Sequence, residues 1–311
     1  MLPEVESWWR RRTFSASDWP LGRLIEAKGG TSISVVLPAR DERETVGEIV
    51  GVLLRELPDL VDEVVVIDSR STDDTAVVAA RAGAAVHAQD EILPALKPLD
   101  GKGEALWKSL AVTSGDLVAF VDSDIRNFQS SLVTGLLGPL LAHPGLAYVK
   151  GCYDRPLRGA PTGGGRVTEL VARPLLNLHW PELAGFMQPL AGEYAGRRSA
   201  LERVPFITGY GVELGLLIDL LSLAGLDALA QVDLGAREHS HQSTEALGAM
   251  ASQIMLAAWS RLERESKIQA AHEPSTRLTQ FRRTRTGHHT ADRDVTISER
   301  PPILTVDGYR P

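Results

Sequence analysis

Short unbroken apolar runs recur along the first half of the chain, each closed by polar residues. Ile33-Ser-Val-Val-Leu37, ended by Pro38, reads as a strand, and so do Val64-Val-Val-Ile67, Ala84 to His87, Leu117 to Val121 and Leu146 to Val149. Helical periodicity fills the gaps: Glu42 to Leu57, a helix capped by Thr72 or Asp73 that runs through Arg81, one opening at Gly101-Lys102-Gly103 and running through Val112, and Ser130 to Leu141. Strands that are apolar throughout belong in a sheet buried on both faces. The first half therefore predicts an α/β fold, a Rossmann-like, mostly parallel sheet with helices on both faces.

The second half has a different rhythm. A glycine-rich loop, Pro161 to Gly165, leads into a helix over Arg166 to Leu178. A long amphipathic helix is expected over Tyr210 to Ala224, a strand over Ala228 to Leu234 and a helix over Thr244 to Glu265. Four segments follow. Residues 1–30 form a polar N-terminal extension anchored by Trp8, Trp9 and Trp19. Residues 31–152 form the α/β region, expected to hold a nucleotide ligand at its strand ends, and residues 153–272 a second region, expected to take a second substrate and complete a metal site. Residues 273–311, rich in Arg, Thr, His and Pro, form an irregular tail.

Composition narrows the classes. The 311 residues are 43% hydrophobic, enough for a sizeable core, and the net charge of −7 argues against nucleic-acid binding. A single cysteine, Cys152, excludes a disulfide framework and fits a reducing, cytoplasmic setting. Met1 to Arg12 is charged without an apolar run, and no stretch of about 18 apolar residues occurs, so neither a secretory signal nor a membrane span is expected.

The polar residues gather behind the strands, where open α/β sheets bind their ligands. Asp122-Ser123-Asp124 follows a buried strand and can hold a divalent cation against a diphosphate. The plainer reading is a helix cap, but two carboxylates are costly at such a place. Pro38-Ala39-Arg40-Asp41-Glu42 and Asp68-Ser69 end the first and second strands, where a ribose or base could be held; each could also simply start a helix. Lys102 between two glycines can meet a phosphate, although the P-loop pattern is absent. Gly163-Gly-Gly-Arg166-Val-Thr168 offers free amides and a guanidinium to a second, phosphorylated substrate, or else is a flexible linker. His239, after the last strand, is a candidate third metal ligand.

These motifs occur in order with Gln188-Pro-Leu-x-Gly-Glu-Tyr194, Gly209-Tyr-Gly-Val-Glu213 and Arg237-Glu-His239. Over roughly residues 30 to 265 the chain closely resembles the glucosyl-3-phosphoglycerate synthases of actinobacteria, a family related to mannosyl-3-phosphoglycerate synthases. The resemblance implies a GT-A glycosyltransferase fold, usually a homodimer, and retaining transfer of glucose from a nucleotide donor, UDP-glucose, to the 2-hydroxyl of 3-phosphoglycerate. It implies that Pro38, Ala39, Glu42 and Ser69 hold the nucleotide and that Lys102 reaches the diphosphate. Asp124 and His239 would ligate Mg²⁺ or Mn²⁺, with Asp122 and Ser123 supporting the donor. Gly165, Arg166 and Thr168 would hold the acceptor, Tyr210 and Glu213 would lie by the sugar, and the Leu190 carbonyl would sit near the reacting centre. The chain departs from the family pattern at Arg40-Asp41 (commonly Leu-Asn), at Arg70 (commonly Gly) and at His241 (an acceptor-binding Asn). Base, sugar and metal preference stay open between this activity and transfer from GDP-mannose. A family-two-like transferase acting on a polyprenyl phosphate or polysaccharide, and a non-catalytic nucleotide-sugar sensor, are the remaining alternatives.

Overall fold

In the computed structural model, which describes residues 1–157, 160–163, 165–237 and 243–310, the apolar runs form the middle of one sheet. The strands are β1 (Thr13–Ser15), β2 (Ile33–Ala39), β3 (Glu63–Asp68), β4 (Ala85–Ala88), β5 (Leu117–Phe120), β6 (Tyr148–Asp154), β7 (Pro156–Leu157), β8 (Ala160–Gly163), β9 (Tyr194–Arg197), β10 (Phe206–Ile207), β11 (Leu229–Ala236), β12 (Arg277–Thr284), β13 (Gly287–Asp294) and β14 (Glu299–Arg300). The main sheet has the order β1-β11-β6-β9-β5-β2-β3-β4. Its neighbours are parallel except for β9, which runs antiparallel between β5 and β6.

Alternate residues of the central strands feed two separate cores. Ile33, Val35 and Leu37 of β2 and Val64 and Val66 of β3 pack with the helices Val46–Glu56 and Ser131–Ala142. Val36, Val65 and Ile67 face the other way, toward Lys102–Ser109 and Val212–Ala224. Covering both faces is what removes polar alternation from these strands. Pro38 does not end β2, which continues to Ala39. Its missing N–H falls on the side where pairing with β5 has already stopped at Val36, so no ladder bond is lost. Its carbonyl accepts from the Ser123 hydroxyl at 2.7 Å.

Of the expected N-terminal anchors, Trp8 is fully buried with its indole N–H donating to Leu229 O at 2.8 Å, and β1 adds an edge strand to the main sheet. Trp9, by contrast, is exposed. The helix Val212–Ala224 is buried almost all round rather than amphipathic, because it lies between the sheet and the helix Thr244–Arg264. Residues 273–311 are not irregular: β12 and β13 pair as a hairpin, and β14 pairs with β10. The hairpin escaped notice because Arg, Thr and His occupy both of its faces, leaving no period-two apolar signal.

The end of the chain is tied into the core. Arg300 donates from Nε and Nη2 to the two oxygens of the buried Glu104 carboxylate, both at 2.7 Å, and Nη2 also donates to Lys97 O at 2.6 Å. Arg300→Ala would leave Glu104 with Lys108, 3.5 Å away, as its remaining cation. A loss of about 3 kcal/mol is expected in urea unfolding, because removing one partner of a buried pair strands the other charge.

Candidate active site

The parallel strands β2, β3, β4, β5, β6 and β11 all deliver their C-terminal ends to one edge of the sheet. The residues just beyond those ends line one cavity of about 950 Å³: Pro38, Ala39, Arg40 and Glu42 after β2, Ser69 and Arg70 after β3, Gln89 after β4, Asp122 to Asp124 after β5, Arg155 after β6 and Arg237 after β11. The opposite wall comes from Lys102, Gly165 to Thr168, Leu190, Gly192 and Thr208 to Tyr210, with Glu213, Gln253, Thr296 and Ser298. Pro38, Ala39, Glu42, Ser69, Lys102, Asp122 to Asp124, Gly165, Arg166, Thr168, Leu190, Tyr210 and Glu213 therefore lie on this one cavity, whereas Asp41 and Asp68 do not line it. His239 and His241, with Gly164 of the glycine loop, lie outside the described residues.

A charged network crosses the cavity floor. Lys102 Nζ is 2.5 Å from Asp122 Oδ1 and 2.9 Å from Glu213 Oε1. Burial alone would lower the ammonium, but these two carboxylates outweigh it and hold Lys102 above the ordinary lysine range. Arg237 Nη1 lies 3.2 Å from Asp122 Oδ2, and Nη2 lies 2.6 Å from Asp124 Oδ1. Arg237 also pairs with the buried Glu193. Burial pushes the Asp122 carboxyl up, yet Lys102 and Arg237 more than reverse this and keep it well below the usual carboxylate range. Asp122 is thus a fixed anion held between two cations. Asp124 shares one guanidinium and keeps 40% of its side chain exposed, toward the cavity.

Two sets of glycines are needed for this geometry. A Cβ at Gly192 would lie 2.2 Å from Asp122 Oδ2, so only glycine lets this loop press on the carboxylate. At Gly103 a Cβ would lie 1.8 Å from Ile207 O, and its amide donates to Thr208 O at 2.9 Å. The glycines around Lys102 allow this close backbone approach to the Ile207 and Thr208 carbonyls. The lysine itself still faces the cavity.

The edge behind β2 and β3 carries its own strain and charge. Asp41 (φ 58°) and Arg70 (φ 62°) both adopt the left-handed backbone that favours Asn or Gly. Thr72 donates to Asp41 from its amide at 2.6 Å and its hydroxyl at 3.0 Å, and Arg70 forks onto Asp90 at 2.7 and 3.0 Å, so both positions are held by side-chain bonds. Ser69 lines the cavity while its hydroxyl donates to Gln89 Oε1 at 2.9 Å. Ser123 is buried, its hydroxyl used by Pro38 and its carbonyl accepting from Thr45 at 2.5 Å, so its side chain joins strands.

Glu42 is pushed up to about 7, first by burial and then by the nearby Asp124 charge. Its sign is unfavourable: the folded state holds a proton that the unfolded chain has released, so stability falls as pH rises from about 4.5 through 7. Glu42→Gln is expected to flatten that fall, read as the melting temperature at pH 5 and pH 8 without divalent cation. An unchanged slope would mean that Glu42 titrates normally.

The donor set suits a hard divalent cation. Asp124 offers carboxylate oxygen toward the cavity beside the fixed Asp122, with room left for ligand oxygens. The described residues contain no cluster of three or more ligating side chains, so such an ion would need ligands from elsewhere. Cys152 takes no part: it is buried, and burial pushes its thiol up to about 12. Sequence reasoning gave no role to Arg237, Glu193, Tyr153 or Arg155. Arg237 and Glu193 did lie inside motifs already singled out.

An open, mostly parallel sheet with a carboxylate pair, a lysine and arginines at its C-terminal edge defines a nucleotide-sugar transferase of the GT-A type. Residues 34–168 match the model of glycosyl transferase family 2. The chain belongs to the family of glucosyl-3-phosphoglycerate synthases. It is 45% identical over 303 residues to the glucosyl-3-phosphoglycerate synthase of Mycolicibacterium smegmatis, covering 96% of this chain and 98% of that one. It is similar in structure to mannosyl-3-phosphoglycerate synthase from Rubrobacter xylanophilus, with TM-score 0.91, 41% identity and coverage of 97% and 99% of the two chains. It is also similar to the glucosyl-3-phosphoglycerate synthase of Mycobacterium tuberculosis in complex with Mn²⁺, UDP and phosphoglyceric acid, with TM-score 0.82, 45% identity and coverage of 92% and 95%.

Proposed function

We propose that the protein transfers glucose from UDP-glucose to the 2-hydroxyl of 3-phosphoglycerate with retention of anomeric configuration. The observation that carries this reading is the union, in one cavity, of a carboxylate–lysine–arginine floor for a sugar diphosphate and an arginine-bearing turn at Gly165, Arg166 and Thr168 for a phosphorylated acid. In this assignment Pro38, Ala39, Glu42 and Ser69 hold the nucleotide, and Tyr210 and Glu213 border the sugar beside Leu190. Asp124, with His239, would hold Mg²⁺ or Mn²⁺, which when bound supplies neutralising charge to the diphosphate.

The chain's own residues set the course of the reaction. Lys102 and Arg237 place positive charge where the departing diphosphate gains negative charge. Asp122 is neutralised by both cations and Glu213 by Lys102, so neither is a free nucleophile. The sugar–phosphate bond therefore breaks as the acceptor oxygen bonds to the anomeric carbon on the same face. The hydroxyl proton passes to the leaving phosphate oxygen, and UDP departs. Trapping of a covalent sugar adduct on the wild-type enzyme by mass spectrometry would contradict this course.

Among the described residues no helix is long and apolar enough to cross a membrane. A cytoplasmic homodimer is the setting that the family resemblance supports. A second reading, transfer of mannose from GDP-mannose, draws on the close fold match to the Rubrobacter enzyme and on Arg40 and Arg70 at the nucleotide edge. A competition assay with 3-phosphoglycerate, Mg²⁺ and equal UDP-glucose, GDP-glucose and GDP-mannose separates the two. UDP-glucose is expected to be consumed first; prior consumption of GDP-mannose would favour the second reading.

A further inference from the structure

Arg155, just past β6, carries a guanidinium on the cavity wall that the described residues do not neutralise. No carboxylate pairs with it among them, whereas Arg237 on the same wall is shared by Asp122, Asp124 and Glu193. Its Nε is buried with no hydrogen-bond partner. Its Nη2 donates to the Tyr153 hydroxyl at 2.8 Å, and the guanidinium carbon lies 5.0 Å from the centre of the Tyr153 ring. Tyr153 is itself fixed: it is buried, and its hydroxyl accepts from Arg237 at 3.0 Å. The arginine is thus oriented by a rigid aromatic group and still has donors to spare. A partly buried cation with an unpaired N–H carries a desolvation cost that an anionic ligand relieves.

The position of Arg155 says which ligand. A Cβ built on Gly165 would lie 3.9 Å from Arg155 Cδ and 3.7 Å from Thr168 Oγ1, so the side chain runs beside the Gly165 to Thr168 segment assigned above to the acceptor. The acceptor carries two anionic groups, a carboxylate and a phosphate, and Arg166 is a single cation. We infer that Arg155 is a second acceptor-binding residue, its guanidinium holding an anionic group of the phosphorylated hydroxy acid, with Tyr153 as its positioning residue. The inference rests on the acceptor reading given above.

The test is steady-state kinetics of the full-length wild type, Arg155→Gln, Arg155→Lys and Tyr153→Phe with UDP-glucose, 3-phosphoglycerate and Mg²⁺. Calorimetry of UDP with Mn²⁺ runs beside it as a check that the donor site is folded. Arg155→Gln is expected to raise the KM for 3-phosphoglycerate about 10- to 100-fold, as loss of a charge-assisted bond should, with UDP affinity within about twofold of wild type. Arg155→Lys recovers part of this loss, and Tyr153→Phe shows a smaller rise confined to the acceptor KM. An unchanged acceptor KM in Arg155→Gln overturns the assignment alone, as does an equal loss of UDP affinity. Absence of any wild-type turnover with 3-phosphoglycerate overturns the function and the assignment with it.

Discussion

Asp124→Ala is expected to reduce transfer about 1,000-fold or more, since charge neutralisation by a bound cation contributes several kcal/mol to the transition state. Of the two carboxylates after β5, Asp124 leaves more surface for a ligand, 40% of its side chain against 23% for Asp122, which is held by both Lys102 and Arg237. The loss should come with a binding signature. In calorimetry the wild type is expected to bind UDP far better with Mn²⁺ than without it, and Asp124→Ala to bind equally weakly in both conditions. Asp124→Asn keeps the shape, removes the charge and should behave like alanine. Activity within tenfold of wild type, still dependent on added cation, would move the metal site elsewhere.

Lys102→Met should lower kcat about 100- to 1,000-fold, the range seen when one donor to a developing anion is removed from a preorganised site. The ammonium sits 2.5 Å from Asp122 and 2.9 Å from Glu213 and is charged across all ordinary pH. Its removal leaves Glu213 without a cation among the described residues, whereas Asp122 retains Arg237. Some stability is therefore lost as well, and kinetics should be compared well below the melting temperature of the variant. Lys102→Arg is not expected to rescue. The site is built for a compact charge at the first residue of a helix whose flanking glycines press on the Ile207 and Thr208 carbonyls. If kcat fell less than threefold in Lys102→Met, stabilisation of the leaving diphosphate would have to come from elsewhere.

The strand-end wall of the cavity was legible because each of its parts follows an apolar run, and the parallel sheet brings those run-ends to one edge. Glu42, Ser69 and Asp122 to Asp124 are far apart in the chain, yet their common position after a strand was enough to group them. What stayed hidden was whatever the strand pattern does not encode. The strand β9, only Tyr194–Arg197, enters the sheet against the general direction and was noticed only as part of a motif. Arg237 was read as a neighbour of His239, although its guanidinium reaches three carboxylates from β5 and the loop before β9. Its role depends on β11 lying beside β6, which local sequence does not reveal. Tyr153, near the end of β6, and Arg155, just past it, carry no spacing signal. The polar tail gave no periodicity, yet it closes the cavity through Thr296 and Ser298 and anchors to Glu104 through Arg300.

The most direct test of the central claim is nuclear magnetic resonance of the product. The purified protein is incubated with ¹³C-labelled UDP-glucose, 3-phosphoglycerate and Mg²⁺, and the new anomeric carbon is followed. The account predicts one product with an α-linked glucose on the 2-oxygen of 3-phosphoglycerate and stoichiometric release of UDP. A β-linked product, or release of free glucose with no acceptor adduct, would contradict it.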